Sequence, residues 1–141
     1  MEKILYTAEA LSTGAGRDGH VRTSDGRVDL ALAAPPALGG SGAGANPEQL
    51  FAAGYAASFH SALLLVARGK KVPLAHETVG ARVHIGPNGA GGFDLAVELE
   101  VVIPDVAHDV AQSLVEAAHE VCPYSNATRG NISVTITVSN D

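Results

Sequence analysis

The sequence predicts an α+β fold in a single domain spanning residues 1–141. Apolar and polar residues alternate in two groups of segments, and one wholly apolar helix and one amphipathic helix accompany those groups. A hydrophobic fraction of 46% supplies a core, and no repeat or long linker divides the chain. We therefore expect antiparallel sheets around a long apolar central helix, with a second, amphipathic helix packed against them.

The charge balance and the cysteine count exclude several classes of function. A net charge of -6 argues against nucleic acid or an anionic membrane as partner, because both need a basic face. Only 17% of the residues are charged, which suggests that self-association hides some surface. Cys122 is the only cysteine, so no intrachain disulfide can form. The first residues turn polar too quickly for a signal peptide, and we expect a cytoplasmic protein.

The first third of the chain predicts short strands joined by turns. Ile4–Ala8 is predicted as a strand, and a glycine-rich turn carries Arg17. Residues 21–34 predict a hairpin, because the pair Asp25–Gly26 favours a tight turn and apolar residues alternate after it. The glycine-rich loop 39–44 lacks the Gly-Lys-Ser/Thr ending of a phosphate-binding loop, so we expect a linker.

The central helix is predicted from Asn46 to Gly69. Asn46 suits the N-cap, Gln49 can complete a capping box, and Gly69 suits the position just past the end. The 18 residues 50–67 carry no formal charge, which meets the length test for a membrane span. Their alanine-rich composition and internal polar groups, Ser58 among them, instead favour a helix buried on all sides.

The second half predicts two long strands, an amphipathic helix and a final strand. In order, these are strands His76–Ile85 and Phe93–Ile103, a helix from Asp105 to Cys122, a loop at Tyr124–Gly130, and a strand through Ile132, Val134, Ile136 and Val138. The helix should bury one apolar stripe made of Val106, Val110, Leu114, Ala117 and Val121.

Taken singly, the candidate reactive residues have ordinary structural explanations. The six histidines form no metal-binding spacing with each other or with the cysteine. Ser58 and His60 stand two apart on a helix and do not face each other, and no Gly-x-Ser-x-Gly elbow is present, which disfavours a Ser-His hydrolase. Ser58 suits close helix packing, Glu48 suits a helix N-terminus, and Cys122 suits a buried small position.

Two longer blocks nevertheless carry a family resemblance. The blocks run from Asn46 to Phe59 and from Val121 to Asn131. They resemble the two signature blocks of the organic hydroperoxide resistance proteins, the Ohr branch of the OsmC/Ohr family. The turn at 16–19 and the Asp25–Gly26 hairpin match the same family, so the resemblance covers essentially the whole chain.

The resemblance implies a fold, an activity and partners. The fold is the OsmC/Ohr-like fold, an intertwined homodimer with strands from both chains around paired central helices. The activity is a thiol peroxidase that reduces organic and fatty-acid hydroperoxides to alcohols through a sulfenic acid and a disulfide. No cofactor is bound; dihydrolipoamide or a lipoylated protein supplies the electrons. Cys122 is implied as the resolving cysteine, and Arg17 and Glu48 as the ion pair that holds the thiolate and orients the peroxide.

Ser58 departs from the family at the peroxidatic cysteine. A serine hydroxyl is not ionised at neutral pH and cannot follow the route from sulfenate to disulfide, so we expect no turnover from this chain. The intact motif around Ser58 favours an engineered Cys-to-Ser substitution over a natural variant that binds without turnover. Two alternatives stay open: a non-catalytic binding protein for apolar oxidised ligands, and a structural dimer without a small-molecule role.

Overall fold

A computed structural model describes all 141 residues and places them in two compact units, residues 1–50 and 51–141. The α+β class is confirmed, because the chain forms three α-helices and two three-stranded sheets. The single-domain organisation stays a prediction, and each unit is described by itself below.

The unit of residues 1–50 contains an antiparallel sheet of three short strands, β1 (Ala10–Thr13), β2 (His20–Thr23) and β3 (Asp29–Ala31). The predicted hairpin is confirmed: the Gly26 N–H donates to the Thr23 carbonyl at 2.9 Å, and Gly26 has a φ of +72°, which glycine adopts without strain.

The predicted strand at Ile4–Ala8 is wrong. Those residues form no strand and are exposed, and the register of the sheet starts at Ala10, which pairs with Thr23. Apolar patterning alone does not make a strand, because the backbone N–H and C=O groups need a neighbouring strand to bond. This chain offers residues 4–8 none.

Helix α1 (Pro47–Gly69) begins as predicted. Asn46 Oδ1 accepts the Gln49 N–H at 2.9 Å, and Gln49 Oε1 accepts the Asn46 N–H at 3.2 Å, which completes the capping box. By length and composition alone α1 could cross a membrane, although core helices of other proteins pass the same test.

The prediction that α1 is buried on all sides is wrong for the single chain. One face is buried, and the opposite face is exposed at every fourth residue; the exposed positions are Ala53, Ala57, Ser61 and Leu65. Leu65 is 59% exposed. The helix has apolar residues on every side but only one side packs on the rest of the chain.

The sheet of the unit 51–141 has the order β4 (Thr78–Pro87), β5 (Phe93–Val102) and β6 (Ser133–Ser139). Strands β4 and β5 form an antiparallel hairpin, whereas β5 and β6 run parallel, with Leu99 opposite Ile136. This parallel pair corrects the prediction of purely antiparallel sheets. Its cause is the crossover through two helices, which returns the chain to the same end of the sheet.

Those two helices also differ from the predicted elements. Helix α2 (His108–Val121) begins three residues after Asp105, whose carboxylate instead accepts the backbone N–H groups of Ala75 and His76. The predicted loop at Tyr124–Gly130 contains the six-residue helix α3 (Pro123–Thr128), which is too short to show a periodic pattern. Proline at its first position has no N–H to leave unbonded.

The buried stripe of α2 is shifted by comparison with the predicted one. It consists of Ala111, Leu114, Val115 and Ala118 and continues to Cys122. Val110 and Val121 are 36% and 48% exposed. The α2 stripe packs with Tyr55, Phe59 and Leu63 of α1 and with the inward residues of β5, chiefly Val97, Leu99 and Val101. This core fixes the elements that carry the candidate site.

The ion pair between His76 and Asp105 should make the stability of the fold depend on pH. His76 Nδ1 lies 2.9 Å from Asp105 Oδ1, and this hydrogen bond raises the pKa of His76 and lowers the pKa of Asp105. The stability from His76 is fully present below its ordinary pKa of 6.5 and is lost as pH rises through the raised pKa. The contribution of Asp105 is lost as pH falls through its lowered pKa.

We therefore expect His76→Gln to lower the urea midpoint at pH 5.5 and to have a smaller effect at pH 9, since raising the pH removes the charge that His76 contributes to the pair. The exposed His108→Gln serves as the control and should show no such difference. An equal loss at both pH values for His76→Gln would contradict the ion pair.

Candidate active site

The side chains of Ser58 and Cys122 meet in the unit 51–141. Ser58 lies on α1 and is half-buried, and Cys122 is fully buried between α2 and α3. Ser58 Oγ lies 3.5 Å from Cys122 Sγ. The two residues are 64 positions apart in sequence, so only the packing of α1 against the end of α2 brings them together.

Local structure explains the position of Cys122. Its N–H donates to the Ala118 carbonyl at 2.9 Å, and its backbone then leaves the helical region with φ -63° and ψ 123°. Pro123 follows and disfavours a helical conformation for the residue before it. The chain therefore turns at Cys122, and the thiol points into the core instead of continuing the surface of α2.

Arg17 and Glu48 form a second pair, in the unit 1–50. The guanidinium donates to both carboxylate oxygens, at 2.7 Å from Nη1 and 2.6 Å from Nη2. This two-point geometry is the strong form of the interaction. The hydrogen bond from Arg17 lowers the pKa of Glu48 and raises the pKa of Arg17, so both groups are charged over a wide pH range.

Local backbone structure positions both partners of this ion pair. Arg17 lies in a 3₁₀ turn, Gly16–Asp18, in which the Asp18 carboxylate accepts the Ala34 N–H at 3.0 Å. Gly19 closes the turn where any Cβ would stand 2.2 Å from the Thr13 carbonyl oxygen. Glu48 lies in the first turn of α1, directly after its capped start, where a carboxylate also suits the helix dipole.

The four residues predicted for the site thus occur as two contacting pairs. The contact of Arg17 with Glu48 and that of Ser58 with Cys122 are both present. Their roles as ion pair, nucleophile position and resolving cysteine stay predictions. No group of three or more histidine, cysteine or acidic side chains could hold a metal ion.

The sequence did not point to an aromatic groove beside Cys122. A groove of about 540 Å³ is lined by side chains of α1, β5 and the segment after Cys122, among them Phe51, Phe93, Leu95, Tyr124 and Ile132. Tyr124 packs edge-on to Phe51, with ring centroids 6.0 Å apart. The lining does not include Ser58 or Cys122 themselves, but Pro123 and Tyr124 directly follow the cysteine.

In the sequence, Gly54 is the residue that indicates this groove. It stands in the middle of α1, where glycine is unfavourable, and one turn before Ser58. A Cβ at residue 54 would lie 2.7 Å from the Tyr124 hydroxyl oxygen, so only glycine lets that ring lie against the helix. A glycine inside an apolar helix therefore indicates that another group lies close to the helix, but the sequence alone does not identify that group.

Known proteins resemble this chain along nearly its whole length. The family described as OsmC-like protein matches residues 39–137. The organic hydroperoxide resistance protein of Xanthomonas axonopodis pv. citri is 51% identical over 140 residues, which cover 98% of this chain and 97% of that protein. The chain belongs to the OsmC/Ohr family, in its organic hydroperoxide resistance branch.

Solved structures of the same branch have the same fold. An organic hydroperoxide resistance protein from Elizabethkingia anophelis, with thiocyanate bound, has a TM-score of 0.94 at 53% identity and covers 99% of each chain. One from Vibrio cholerae, with captopril bound in one of its active sites, has a TM-score of 0.92 at 50% identity, covering 99% of this chain and 94% of that one. The OsmC/Ohr-like fold is therefore confirmed for this chain.

The Arg17–Glu48 ion pair can be tested through the titration of Glu48. We expect Arg17→Ala to raise the pKa of Glu48 back toward its ordinary range, because the donated hydrogen bond that lowers it is gone. The stability that Glu48 contributes should then be lost at a higher pH on acidification. The measurement is a pH titration of the Glu48 carboxyl carbon by NMR. Arg27→Ala, which removes an exposed arginine, is the control; an unchanged Glu48 titration in Arg17→Ala would show that the pair does not form.

Proposed function

We propose that this chain is the scaffold of a thiol peroxidase that reduces organic and fatty-acid hydroperoxides to alcohols, with Ser58 at the nucleophile position. The single observation that carries the proposal is the distance of 3.5 Å between Ser58 Oγ and Cys122 Sγ. The sulfur atoms of a disulfide stand about 2.05 Å apart, so a thiol at residue 58 would need only a small movement to bond Cys122.

With cysteine at residue 58, the proposed cycle has three steps. The thiolate attacks the terminal peroxide oxygen, the O–O bond breaks, and the alcohol leaves with a proton while the sulfur becomes a sulfenic acid. The Cys122 thiol then attacks that sulfur, a disulfide forms and water leaves. A dithiol of the dihydrolipoyl class reduces the disulfide to two thiols and is itself oxidised to a disulfide.

The ion pair supports the first step of this proposal. An arginine held in place by a carboxylate is a fixed positive charge, and a positive charge near a cysteine lowers the pKa of the thiol. We propose that Arg17, held by Glu48, stabilises the thiolate and orients the peroxide. By the same reasoning we expect no turnover at Ser58, since its hydroxyl is not ionised at neutral pH and cannot form a sulfenic acid.

The substrate class is proposed from the groove. Its lining is mainly apolar and aromatic, which suits an alkyl or fatty-acyl hydroperoxide better than hydrogen peroxide. The Vibrio cholerae relative holds captopril in an active site, so a member of the branch accepts an organic molecule there. The groove equally favours a second candidate, a non-catalytic binder of apolar oxidised ligands, which would bind a fatty-acid alcohol in calorimetry yet stay inactive with cysteine at residue 58.

The decisive experiment is the substitution Ser58→Cys. We expect the parent chain to consume no tert-butyl hydroperoxide with dihydrolipoamide, and Ser58→Cys to show turnover above background by at least about a hundredfold, because a nucleophile is then present. Ser61→Cys is the matched control, since it places a thiol on the exposed face of the same helix. The proposed peroxidase activity would be overturned if a folded Ser58→Cys protein showed no turnover, or if Ser61→Cys showed equal turnover.

We also propose a cytoplasmic homodimer. The exposed face of α1 and the exposed apolar residues Ile4 and Leu5 are surfaces that a second copy would remove from water.

A charge on the exposed face of α1 tests the proposed dimer. Leu65→Lys should raise the dimer dissociation constant by about tenfold or more, because a buried unpaired charge is costly. Sedimentation velocity at several concentrations measures it, with Val121→Lys as the control on an exposed valine of α2. A parent chain that sediments as a monomer at all concentrations would contradict the dimer.

A further inference from the structure

A buried chain of hydroxyl groups connects α1 to α3 beneath Cys122. Tyr55, Ser125 and Thr128 are 0%, 0% and 6% exposed. The Tyr55 hydroxyl lies 2.9 Å from Ser125 Oγ and 3.2 Å from Thr128 Oγ1. His119, which is half-buried, extends this hydrogen-bond chain: its Nδ1 lies 2.8 Å from Ser125 Oγ. None of these buried oxygens lacks a partner.

Each hydroxyl group has one proton to donate, and this fixes the direction of every bond in the hydrogen-bond chain. Thr128 donates its one hydroxyl proton to the backbone carbonyl of Tyr124 at 2.9 Å, so it must accept from Tyr55. Tyr55 has then used its only proton and must accept from Ser125.

The available protons also fix the direction of the bond between Ser125 and His119. Ser125 has used its proton on Tyr55, so the remaining bond needs an N–H on His119 Nδ1. The donors therefore run from His119 through Ser125 and Tyr55 to Thr128, and His119 carries its proton on Nδ1.

The environment of His119 favours its neutral form. Burial and the nearby positive charge of Arg129 lower the pKa of His119, and Glu120 opposes them weakly. Arg129 also donates to the His119 carbonyl and to Asn126, which ties the end of α2 to α3. The Nδ1–H donor is present in both the neutral Nδ1–H tautomer and the charged ring.

The hydrogen-bond chain stands one helical turn from the two reactive positions. Tyr55 precedes Ser58 by three residues on α1, and residues three apart share a helix face. Ser125 follows Cys122 by three residues at the start of α3. The bond between Tyr55 and Ser125 therefore runs beside the 3.5 Å contact of Ser58 with Cys122 and joins the same two elements.

From this geometry we propose that His119 is a positioning residue for the site. Its Nδ1–H occupies an acceptor position of Ser125 and thereby directs the Ser125 proton to Tyr55, which holds residue 58 and Cys122 in bonding reach. Without that donor, Ser125 would have no fixed orientation, and α3 could shift against α1. The inference rests on the proposed function for its biological meaning, but the geometry is measurable without any peroxide.

The test uses Ser58→Cys and the equilibrium with glutathione. Oxidised glutathione takes two electrons and two protons from the thiols at positions 58 and 122, which leaves a protein disulfide and two molecules of reduced glutathione. The equilibrium constant is the effective concentration of one thiol beside the other. It needs no hydroperoxide and no lipoyl reductant, so it can succeed where the peroxidase assay fails, and the reverse.

Two replacements at residue 119 form a matched pair in the Ser58→Cys protein. His119→Asn keeps an N–H at the place of Nδ1 and should leave the effective concentration within about threefold, whereas His119→Gln moves the N–H one bond farther out. We expect His119→Gln to lower the effective concentration by about tenfold, since misplacement by about 1 Å can cost a reaction on the order of 100-fold.

Urea unfolding of the reduced proteins separates positioning from stability alone. Loss of stability in His119→Gln with an unchanged effective concentration would overturn the proposal, as would equal losses in the Asn and Gln variants. Imidazole ¹⁵N shifts of His119 in the parent chain provide a second, independent measurement. They should show a protonated Nδ1, and a neutral ring protonated on Nε2 would overturn the assignment even if the variants failed to fold.

Discussion

The close packing of α1 against the junction of α2 and α3 is the interaction on which the candidate site depends. Gly54 lets the Tyr124 ring lie on the helix, Tyr55 bonds Ser125 in the core, and Ser58 reaches Cys122. These three contacts lie within five consecutive residues of α1, little more than one turn of the helix. A displacement of α1 along its axis would disturb all three together, which makes the helix register the parameter that sets the geometry of the site.

Ser58 separates the geometry of the site from its chemistry. A hydroxyl and a thiol differ little in size, so serine leaves the contact with Cys122 in place. They differ greatly in acidity and in the oxidation states they can reach, and the proposed reaction depends on both. A site can thus retain its shape and its supporting hydrogen bonds while its reactive atom is absent.

The elements that were predicted correctly from the sequence are those specified by near neighbours. The capping box of Asn46 and Gln49, the hairpin at Gly26 and the alternation along β5 each depend on residues that are close in the chain. The errors arose where a distant partner decides. Asp105 does not start α2 because Ala75 and His76 use its carboxylate, and residues 4–8 form no strand because no strand lies beside them.

By itself the sequence predicted the family, the class of fold and the four residues of the candidate site, because the two signature blocks and the turn at 16–19 carry them in a recognisable order. Only the tertiary structure decided that Ser58 and Cys122 touch, that Arg17 donates to both oxygens of Glu48, and that Tyr55 meets Ser125 and Thr128 in the core. The physical reason is distance along the chain. Hydrogen bonds and packing act over a few ångströms, and contacts between residues 31 to 73 positions apart exist only once the whole chain has folded.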